Sequence, residues 1–371
     1  MTRVDEIDTA KGIVRLSDGE SMPYDYLVMG TGGHAFLPGI PGQDMEGVFT
    51  LKNLTDAIKI KTYINEKQCR KAIIVGAGFI ALEMSEAMRR RNIETTIVYR
   101  GELPARKWDR EFSRVILDEL NNNQVTFVPH TKPVAIEKGT NSLLRLVTDN
   151  GEMDADIILM ALGVRPNTRL AEEIGLQIGE TGAIHVDSSQ RTSREEIWSV
   201  GDCCEVYHRV SGKWVYMPLG DVANRQGRVA GQNISGRTVV FPGVVGAQSF
   251  KMFNLEVATT GLDEKAATQS GFEPVANIIW GNPIAASLAK SLPEPRKLGI
   301  KLIGDRSTGK LLGAQAVGTE NVVSRINVLS VALWSELTLD DIGYIDLAYS
   351  PYFSGAWDPV QTAAQILRRK L

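Results

Sequence analysis

The stretch Lys71-Ala-Ile-Ile-Val-Gly-Ala-Gly-Phe-Ile-Ala81 decides the fold of this chain. Its first five residues have the pattern of a buried strand, in which Ala72 to Val75 are apolar, and this strand enters the glycine turn Gly76-Ala-Gly78. A helix is predicted from Ile80 to Arg91, and the next strand from Thr95 to Tyr99. Strand, turn, helix and strand in this order are typical of a βαβ unit, so the sequence predicts an α/β fold with a parallel sheet.

The glycine turn has the spacing and the setting of a dinucleotide-binding site. Gly76 permits the tight turn, Gly78 lets backbone N–H groups reach a pyrophosphate, and the small Ala81 lets the helix pack on the strand. The N-terminus of the helix favours the anion. The alternative is that the glycines only shape a turn.

The strand that follows carries a basic residue where NAD-binding units carry an acid. That acid lies about 20 residues after the first glycine and binds the ribose hydroxyls. Here the strand ends in Tyr99-Arg100, and the arginine could instead meet a 2′-phosphate. The sequence leaves two possibilities open: NADPH as the reductant, or a solvated charge at a strand end.

Length and composition exclude several classes of protein. The 371 residues, 43% of them hydrophobic, suffice for two or three domains. The net charge of -3 argues against a nucleic-acid partner, and the apolar runs fall short of the roughly 18 residues that a membrane span needs. The three cysteines, Cys69, Cys203 and Cys204, have neither disulfide nor metal spacing, which indicates a reducing, cytoplasmic setting and no metal site.

Two further turns indicate a second nucleotide site. Strand Tyr26 to Met29 ends in Gly30-Thr-Gly32, and strand Ile197 to Val200 ends in Gly201-Asp202. An Asp directly after a buried strand can accept hydrogen bonds from sugar-alcohol hydroxyls, although Asp is also a common turn former. Each turn is a weak signal when it is taken alone.

Taken together, the motifs resemble the FAD-dependent pyridine nucleotide-disulfide oxidoreductases, most closely the branch with coenzyme A-disulfide reductase, NADH oxidase and NADH peroxidase. The resemblance spans nearly the whole chain and rests on motifs in family order: Gly30 to Gly32, Gly76 to Glu83, Ala161 to Pro166, Ile197 to Asp202, Pro218 to Arg228 and Leu347 to Pro359. It implies two Rossmann-like nucleotide-binding domains and a C-terminal α+β dimerisation domain. The expected boundaries are residues 1–54 and 173–244 for the FAD domain, 55–172 for the NAD(P) domain and 245–371 for the dimerisation domain.

The resemblance also implies a cofactor and a role for individual residues. The cofactors would be FAD and NAD(P)H. Phe79 would cover the flavin and swing aside for the nicotinamide, and Tyr349 would reach the flavin of the partner in a homodimer. The remaining FAD contacts would be Thr31, Gly32, Gly201, Asp202, Leu219 and Gly220, and the remaining nicotinamide-nucleotide contacts Gly76, Gly78, Ile80, Glu83, Tyr99, Arg100, Trp108 and Gly163.

The substrate side departs from the coenzyme A-disulfide reductase pattern. Asn224 stands where that enzyme has His, and Trp357 stands where it has Lys. For Phe79 and Trp108 the alternative role is ordinary core packing. These departures argue against recognition of coenzyme A. The small-molecule electron acceptor stays open among a disulfide, a persulfide, a peroxide and oxygen, because the group that meets it in the family lies in an N-terminal segment not found in this sequence.

The front of the family pattern is not found in this sequence. Family members begin with a first FAD-binding glycine turn and a redox-active cysteine, which correspond to about 80 residues upstream of the present segment. None of the three cysteines stands at the nucleophile's position, so no catalytic residue is assigned. Two functions remain: an NAD(P)H-dependent FAD oxidoreductase, or a non-catalytic remnant that binds a nicotinamide nucleotide and dimerises.

Overall fold

The protein is described by a computed structural model that covers residues 2–140, 142–292 and 297–371. The chain divides into two compact units, and each unit is built from two separate stretches of sequence. Residues 1–34 and 164–245 form the first unit, and residues 35–163 and 246–371 form the second. The finer domain boundaries expected from the sequence stay predictions.

The first unit contains short strands and two helices. They are β1 (Val4–Asp8), β2 (Ile13–Leu16), β3 (Ser21–Pro23), β4 (Leu27–Met29), β5 (Gly33–Ala35, whose last residue opens the second unit), β14 (Val164–Pro166), α4 (Arg169–Glu173), β15 (Ile197–Ser199), β16 (Val206–His208), β17 (Lys213–Val215) and α5 (Gly220–Ile234).

Strand pairing in the first unit joins its two stretches of sequence. Strands β1, β2 and β3 form an antiparallel sheet, β5 pairs with β14, and β16 pairs with β17. Strand β4 pairs in parallel with β15, so that Leu27 is opposite Ile197 and Met29 is opposite Ser199. The apolar core beside this pair includes Met29 and Ile197, which are almost completely buried. The carboxyl ends of β4 and β15 therefore lie at the same edge.

The second unit contains the larger sheets. Its first stretch forms β6 (Val48–Phe49), α1 (Leu54–Lys67), β7 (Lys71–Val75), α2 (Phe79–Arg89), β8 (Glu94–Val98), α3 (Arg110–Asn122), β9 (Val125–Val128), β10 (Pro133–Lys138), β11 (Leu144–Thr148), β12 (Gly151–Ala155) and β13 (Ile157–Met160). Its second stretch forms β18 (Gln248–Met252), β19 (Leu255–Gly261), α6 (Glu264–Gln269), β20 (Pro274–Gly281), α7 (Ala286–Ala289), β21 (Leu298–Asp305), β22 (Leu311–Gly318), α8 (Val322–Trp334), α9 (Leu339–Tyr344) and α10 (Pro359–Arg368).

The first of these stretches forms a five-stranded sheet with the order β6-β13-β7-β8-β9, in which neighbouring strands run parallel. Residues 72–75 of β7 and 157–160 of β13 are buried, as expected for parallel strands with both faces covered. The strand order reverses at β7, because β8 and β9 follow on one side and β13 returns on the other. Ligands of open α/β sheets bind outside the carboxyl ends of the strands at such a reversal.

The second stretch forms an antiparallel sheet with the order β18-β19-β22-β21-β20. The strands of its centre, β21 and β22, are buried along their whole length. Helix α8 packs on β19 and β22, and α10 packs on β20 and β21. The predicted α/β fold with a C-terminal α+β part is thus confirmed. No described helix is long and apolar enough to cross a membrane.

Candidate nucleotide-binding sites

The predicted nicotinamide-nucleotide residues gather at the reversal of the parallel sheet. Gly76 follows β7, Tyr99 follows β8, and Gly163 lies three residues beyond the end of β13. The N–H of Gly76 donates to the carbonyl of Val98 at 2.9 Å, which joins the ends of the first two strands. These residues come together because the three strands are adjacent and parallel.

The two glycines of the turn are required for different reasons. Gly76 has a φ of +118°, and a Cβ at this position would be 2.2 Å from the carbonyl oxygen of Ala161. No side chain fits there without displacing the backbone. Gly78 has an ordinary φ of -82°, and a Cβ there would meet nothing within 4 Å. The space above Gly78 is therefore open to a ligand.

Helix α2 begins directly after the turn and is prepared for an anion. Gly78 is its N-cap and supplies no side-chain hydrogen bond, and the first turn holds no acidic residue. The first N–H groups of such a helix carry partial positive charge and lack partners within the helix. The residues present at this end therefore fit the pyrophosphate of a dinucleotide.

Three predicted contacts lie on the first turns of this helix. Phe79 is 42% exposed, an unusual position for a large apolar ring, and Ile80 is half-buried. Glu83 lies one turn further on. The partial desolvation of its carboxyl group, together with the charge of Glu86, raises the pKa of Glu83.

Basic residues flank the turn on the side of β8. The loop after β8 folds back so that the N–H of Ala105 donates to the carbonyl of Ala77 at 2.8 Å. Ala105 is buried with a φ of +54°, so its backbone conformation is fixed by this contact. Arg100 and Arg106 begin and end the folded-back segment, both are exposed, and neither is paired with a described acid.

Arg106 is a residue that the sequence analysis missed. Nothing in the spacing of the motif indicates that the loop returns to the turn, and only the hydrogen bond of its neighbour Ala105 reveals it.

Trp108 is part of the core of the second unit. It is 7% exposed and packs edge to face on Phe250, with ring centroids 5.3 Å apart. Its indole N–H is buried and meets no acceptor among the described residues. The packing is that of a core aromatic. Its role at the nucleotide site stays a prediction.

In the first unit, the Gly30-Thr-Gly32 turn is held by a residue that the sequence analysis did not select. The hydroxyl of Thr31 donates to the carbonyl of Asn167 at 2.7 Å, and the side-chain amide of Asn167 donates to the carbonyl of Thr31 at 2.8 Å. The N–H of Asn167 donates in turn to the carbonyl of Gly32 at 2.9 Å. Asn167 directly follows the predicted motif ending at Pro166, which is the signal that could have identified it.

The Gly201-Asp202 turn lies beside that first turn and is held from α5. The N–H of Val200 donates to the carbonyl of Met29 at 3.0 Å, so the two turns leave one edge together. The N–H of Gly201 donates to the side-chain oxygen of Gln226 at 2.9 Å. The amide nitrogen of Gln226, a side chain that is 1% exposed, donates to the carbonyl of Glu205 at 3.1 Å. Gln226 therefore fixes the turn that carries Asp202.

The start of α5 completes this group of residues. Leu219 is its N-cap and makes no side-chain hydrogen bond, and a Cβ on Gly220 would meet nothing within 4 Å. The phenol of Tyr216 donates to the carbonyl of Asp202 at 3.1 Å, and burial, followed by the charge of Asp202, raises the pKa of Tyr216. Two converging strand ends and an uncapped helix start fit a second nucleotide, as FAD requires.

The predicted substrate-side residues lie in different units. Asn224 is exposed on the second turn of α5 in the first unit. Tyr349 and Trp357 lie in the second unit, on the segment between α9 and α10, and are 57% and 56% exposed. The structure gathers the FAD residues and the nicotinamide-nucleotide residues each within one unit, and the roles of these three side chains stay predictions.

The three cysteines are buried and free, as predicted. Burial, followed by the charge of Asp156, raises the pKa of the Cys69 thiol to about 11. Burial also raises the pKa of Cys204 strongly. Neither thiol ionises near neutral pH, and a thiol must ionise to the thiolate before it can act as a nucleophile. Among the described residues, no group of histidines, cysteines and acids could hold a metal ion.

Comparison with known proteins agrees with this geometry. Residues 1–227 match the family model of the pyridine nucleotide-disulphide oxidoreductases, and residues 247–360 match the dimerisation domain of that family. The second match supports the predicted homodimer.

Individual relatives cover nearly the whole chain. An NAD(P)H sulfur oxidoreductase (CoA-dependent) of Pyrococcus furiosus is 36% identical over 99% of this chain and 82% of its own length. An NAD-dependent persulfide reductase from A. fulgidus shares 38% identity with a TM-score of 0.93, over 100% of this chain and 68% of its own.

A third similar structure is an engineered water-forming NADPH oxidase bound to NADPH, derived from the Lactobacillus brevis NADH oxidase. It shares 27% identity with a TM-score of 0.92, over 100% of this chain and 82% of its own. Family matches over both parts of the sequence and two nucleotide sites lead to one conclusion: the chain belongs to the pyridine nucleotide-disulphide oxidoreductase family and is an FAD-dependent NAD(P)H oxidoreductase.

Proposed function

We propose that the chain reduces a small sulfur compound, a persulfide or a disulfide, with NADPH as the reductant. Relatives named as a sulfur oxidoreductase and a persulfide reductase, at 36% and 38% identity, support the sulfur acceptor. For a persulfide, the S–S bond breaks, and RSSH, NADPH and H⁺ give RSH, H₂S and NADP⁺. When bound, FAD supplies a two-electron relay between the nicotinamide and the acceptor.

The observation that carries the proposal of NADPH is a pair of arginines beside the glycine turn, neither of which pairs with an acid among the described residues. Arg100 and Arg106 are exposed at the two ends of the loop that returns to Ala77, on the side where a ribose-binding acid would stand. A guanidinium binds phosphate oxygens with two parallel hydrogen bonds. Two such groups favour a dinucleotide with a 2′-phosphate.

The engineered NADPH oxidase supports the same choice. Relative to the NADH oxidase, it has a glycine replaced by alanine and, 18 positions later, an aspartate replaced as well. The position after that aspartate is changed to arginine, and a second arginine is introduced six positions after the first. In this chain the same spacing from Ala81 leads to Tyr99, Arg100 and Arg106. This sequence thus has naturally an alanine, no acid and two arginines at these intervals.

The remaining roles belong to the same proposal. Thr31, Asp202 and Gly220 would contact FAD, and Phe79, Glu83 and Gly163 the nicotinamide nucleotide, together with the other predicted contacts at the same two edges. Tyr349 would reach the flavin of the partner subunit in a homodimer, with Asn224 and Trp357 on the substrate side. Three free cysteines accord with a reducing, cytoplasmic setting.

The sulfur activity is tested with the FAD-loaded protein under nitrogen and under air. Glutathione persulfide and coenzyme A disulfide serve as acceptors, NADPH and NADH are compared, and H₂S, thiol and NADP⁺ are quantified. The proposal expects one H₂S per NADPH oxidised with the persulfide, or two thiols per NADPH with the disulfide. NADPH oxidation that requires air and is indifferent to both sulfur compounds would establish an oxidase instead.

The NADPH proposal is tested by Arg100→Ala and Arg106→Ala. Each substitution is expected to raise the KM for NADPH about tenfold, the equivalent of one phosphate contact of roughly 1.4 kcal/mol, and to leave the KM for NADH unchanged. The matched control is Arg110→Ala, because Arg110 is exposed nearby but already paired with Glu102.

Binding of 2′,5′-ADP and of 5′-AMP by calorimetry gives a readout that is independent of turnover. Equal affinities of the unmodified protein for the two ligands would contradict a 2′-phosphate site.

A further inference from the structure

The segment from Ile345 to Asp358 links α9 to α10 without forming a helix or strand of its own. It displays four large side chains: Tyr349, Tyr352, Phe353 and Trp357 are 56–70% exposed. Exposed aromatic rings on an irregular segment cannot hold its backbone in place, because they gain little from burial. The conformation must be set from beneath.

One buried side chain lies beneath this segment. Arg325, on the first turn of α8, is 5% exposed, although arginine is among the residues least often buried. Its Nε and Nη2 atoms donate to the carboxylate of Asp358 at 3.1 and 2.9 Å. Its Nη2 also donates to the backbone carbonyl of Phe353 at 3.1 Å and to that of Pro283 at 2.9 Å. The guanidinium of Arg325 therefore binds the segment at Phe353 and Asp358 and the neighbouring loop at Pro283.

Asp358 transmits this contact in both directions along the chain. Its carboxylate accepts from the N–H of Val360 at 2.8 Å, which caps α10, and from the hydroxyl of Ser354 at 2.8 Å. On the other side of the segment, the N–H of Ala285 donates to the carbonyl of Pro351 at 3.0 Å. Through Arg325 and Asp358, the start of α10 and the turn at Phe353 are thus both connected to helix α8.

The chemistry of the pair argues for positioning rather than for stability alone. A buried ion pair recovers its desolvation cost only with excellent geometry and further hydrogen bonds, and apolar replacements of similar volume are often equally stable. Here the N–H groups of the Arg325 guanidinium donate to acceptors of the segment, to the carbonyl of Pro283 and to the carbonyl of Asn321 at the start of its own helix. A lysine would offer a point charge and could not make these planar contacts together.

We propose that Arg325 is a positioning residue, which holds the segment 345–358 in the conformation that presents Tyr349 to the flavin of the partner subunit and Trp357 to the substrate side. This inference rests on the proposed function for the roles of those two aromatic side chains. In this proposal, the geometry of the site is set by Arg325, a residue that contacts neither cofactor nor substrate.

The test uses the FAD-loaded protein and the variants Arg325→Lys and Ser354→Ala. Arg325→Lys keeps the charge and loses the fork, and Ser354→Ala removes a single hydrogen bond, so that at least one folded variant is available. Arg368→Met is the matched control, since Arg368 is exposed and pairs with Asp340 on the surface of the same unit.

The first readout is hydrogen exchange. We expect the amides of Phe353 to Asp358 to exchange at least about tenfold faster in Arg325→Lys, with a smaller effect in Ser354→Ala, while those of β21 and β22 keep their rates. Exchange in the segment within a factor of two of the unmodified protein would overturn the inference, as would equal acceleration in the central strands.

The second readout separates this inference from the proposed function. In Arg325→Lys, kcat is expected to fall at least tenfold while the KM for NADPH and the amount of bound FAD stay constant. Faster exchange with unchanged kcat would refute the catalytic part of the inference. Should the unmodified protein reduce no sulfur compound, the proposed function would fail, and the exchange experiment would still decide whether Arg325 orders the segment.

Discussion

Gln226 provides a sharp test of how the FAD-side turn is held in place. Its side chain is almost fully buried on α5. The side-chain oxygen accepts a hydrogen bond from the N–H of Gly201 at 2.9 Å, and the side-chain nitrogen donates one to the carbonyl of Glu205 at 3.1 Å. In Gln226→Met the volume is kept, but the backbone N–H and C=O lose these partners. Each unsatisfied buried group costs about 1–3 kcal/mol, so that a loss of roughly 3 kcal/mol is expected.

This loss of stability corresponds to a shift in melting temperature that calorimetry can measure. For a unit of about this size, 1 kcal/mol lowers the melting temperature by roughly 4 °C, so the first unit should melt about 12 °C earlier. The amount of FAD that is retained after gel filtration should fall in parallel, because the Gly201 turn carries Asp202. Arg228→Ala, at an exposed position of the same helix, is the control and should melt as the unmodified protein does.

Two outcomes would show that this reasoning is wrong. A melting temperature of Gln226→Met within about 2 °C of the unmodified protein would mean that the two hydrogen bonds are not what holds the turn. An equal loss in Arg228→Ala would mean that the helix is generally sensitive, and that the hydrogen bonds of Gln226 have no special part.

Three further predictions follow from the second unit. Gly76→Ala should destabilise it by at least about 2 kcal/mol in urea titrations, because a Cβ would lie 2.2 Å from the carbonyl oxygen of Ala161 at a φ of +118°. Gly78→Ala should unfold as the unmodified protein does but bind NADPH more weakly in calorimetry, since its methyl group would occupy only the open space above the turn. With the pKa of Cys69 raised to about 11 in the folded state, the unfolded chain ionises first, so stability should fall as the pH rises from about 9 to 11; Cys69→Ala should reduce that slope, and buried groups such as Cys204, whose pKa is also raised, should account for the rest.

The βαβ unit shows how much of the fold local sequence can reveal. The strand predicted from Lys71 to Val75 has those bounds in the structure, and the helix predicted from Ile80 to Arg91 runs from Phe79 to Arg89. Both rest on repeating patterns of apolar residues and on a glycine turn, which are local properties. The stretch from Gly220 to Ile234 also has the composition of a helix, and the structure has a helix with those bounds.

Local patterns failed where pairing partners are distant. The largely apolar run from Ala183 to Val186 has the pattern of a strand, but in the structure Ile184 forms only isolated bridges with Ile178 and Cys204. Its apolar residues are buried as expected. An apolar run shows that a segment is buried, while a strand also needs a neighbour that stays in register over several residues.

The sites show the same division. The glycine turns, the acid after β15 and the basic residue after β8 were identifiable because short motifs carry their chemistry within a few residues. The residues that fix those turns were not: Asn167 is 136 positions from Thr31, and Gln226 is 25 from Gly201. Neither separation follows from a helix or strand period or from a short motif.

Motifs and hydrophobic periodicity thus sufficed to predict the family and the two cofactors and to select candidate residues for their sites, because these predictions rest on near neighbours in sequence. Only the folded chain revealed that Ala105 returns to the glycine turn and brings Arg106 to it, and that Arg325 orders the segment carrying Tyr349. Such contacts depend on how whole strands and helices stack. Many different pairs of residues satisfy the same local pattern, and three-dimensional packing selects which of them meet.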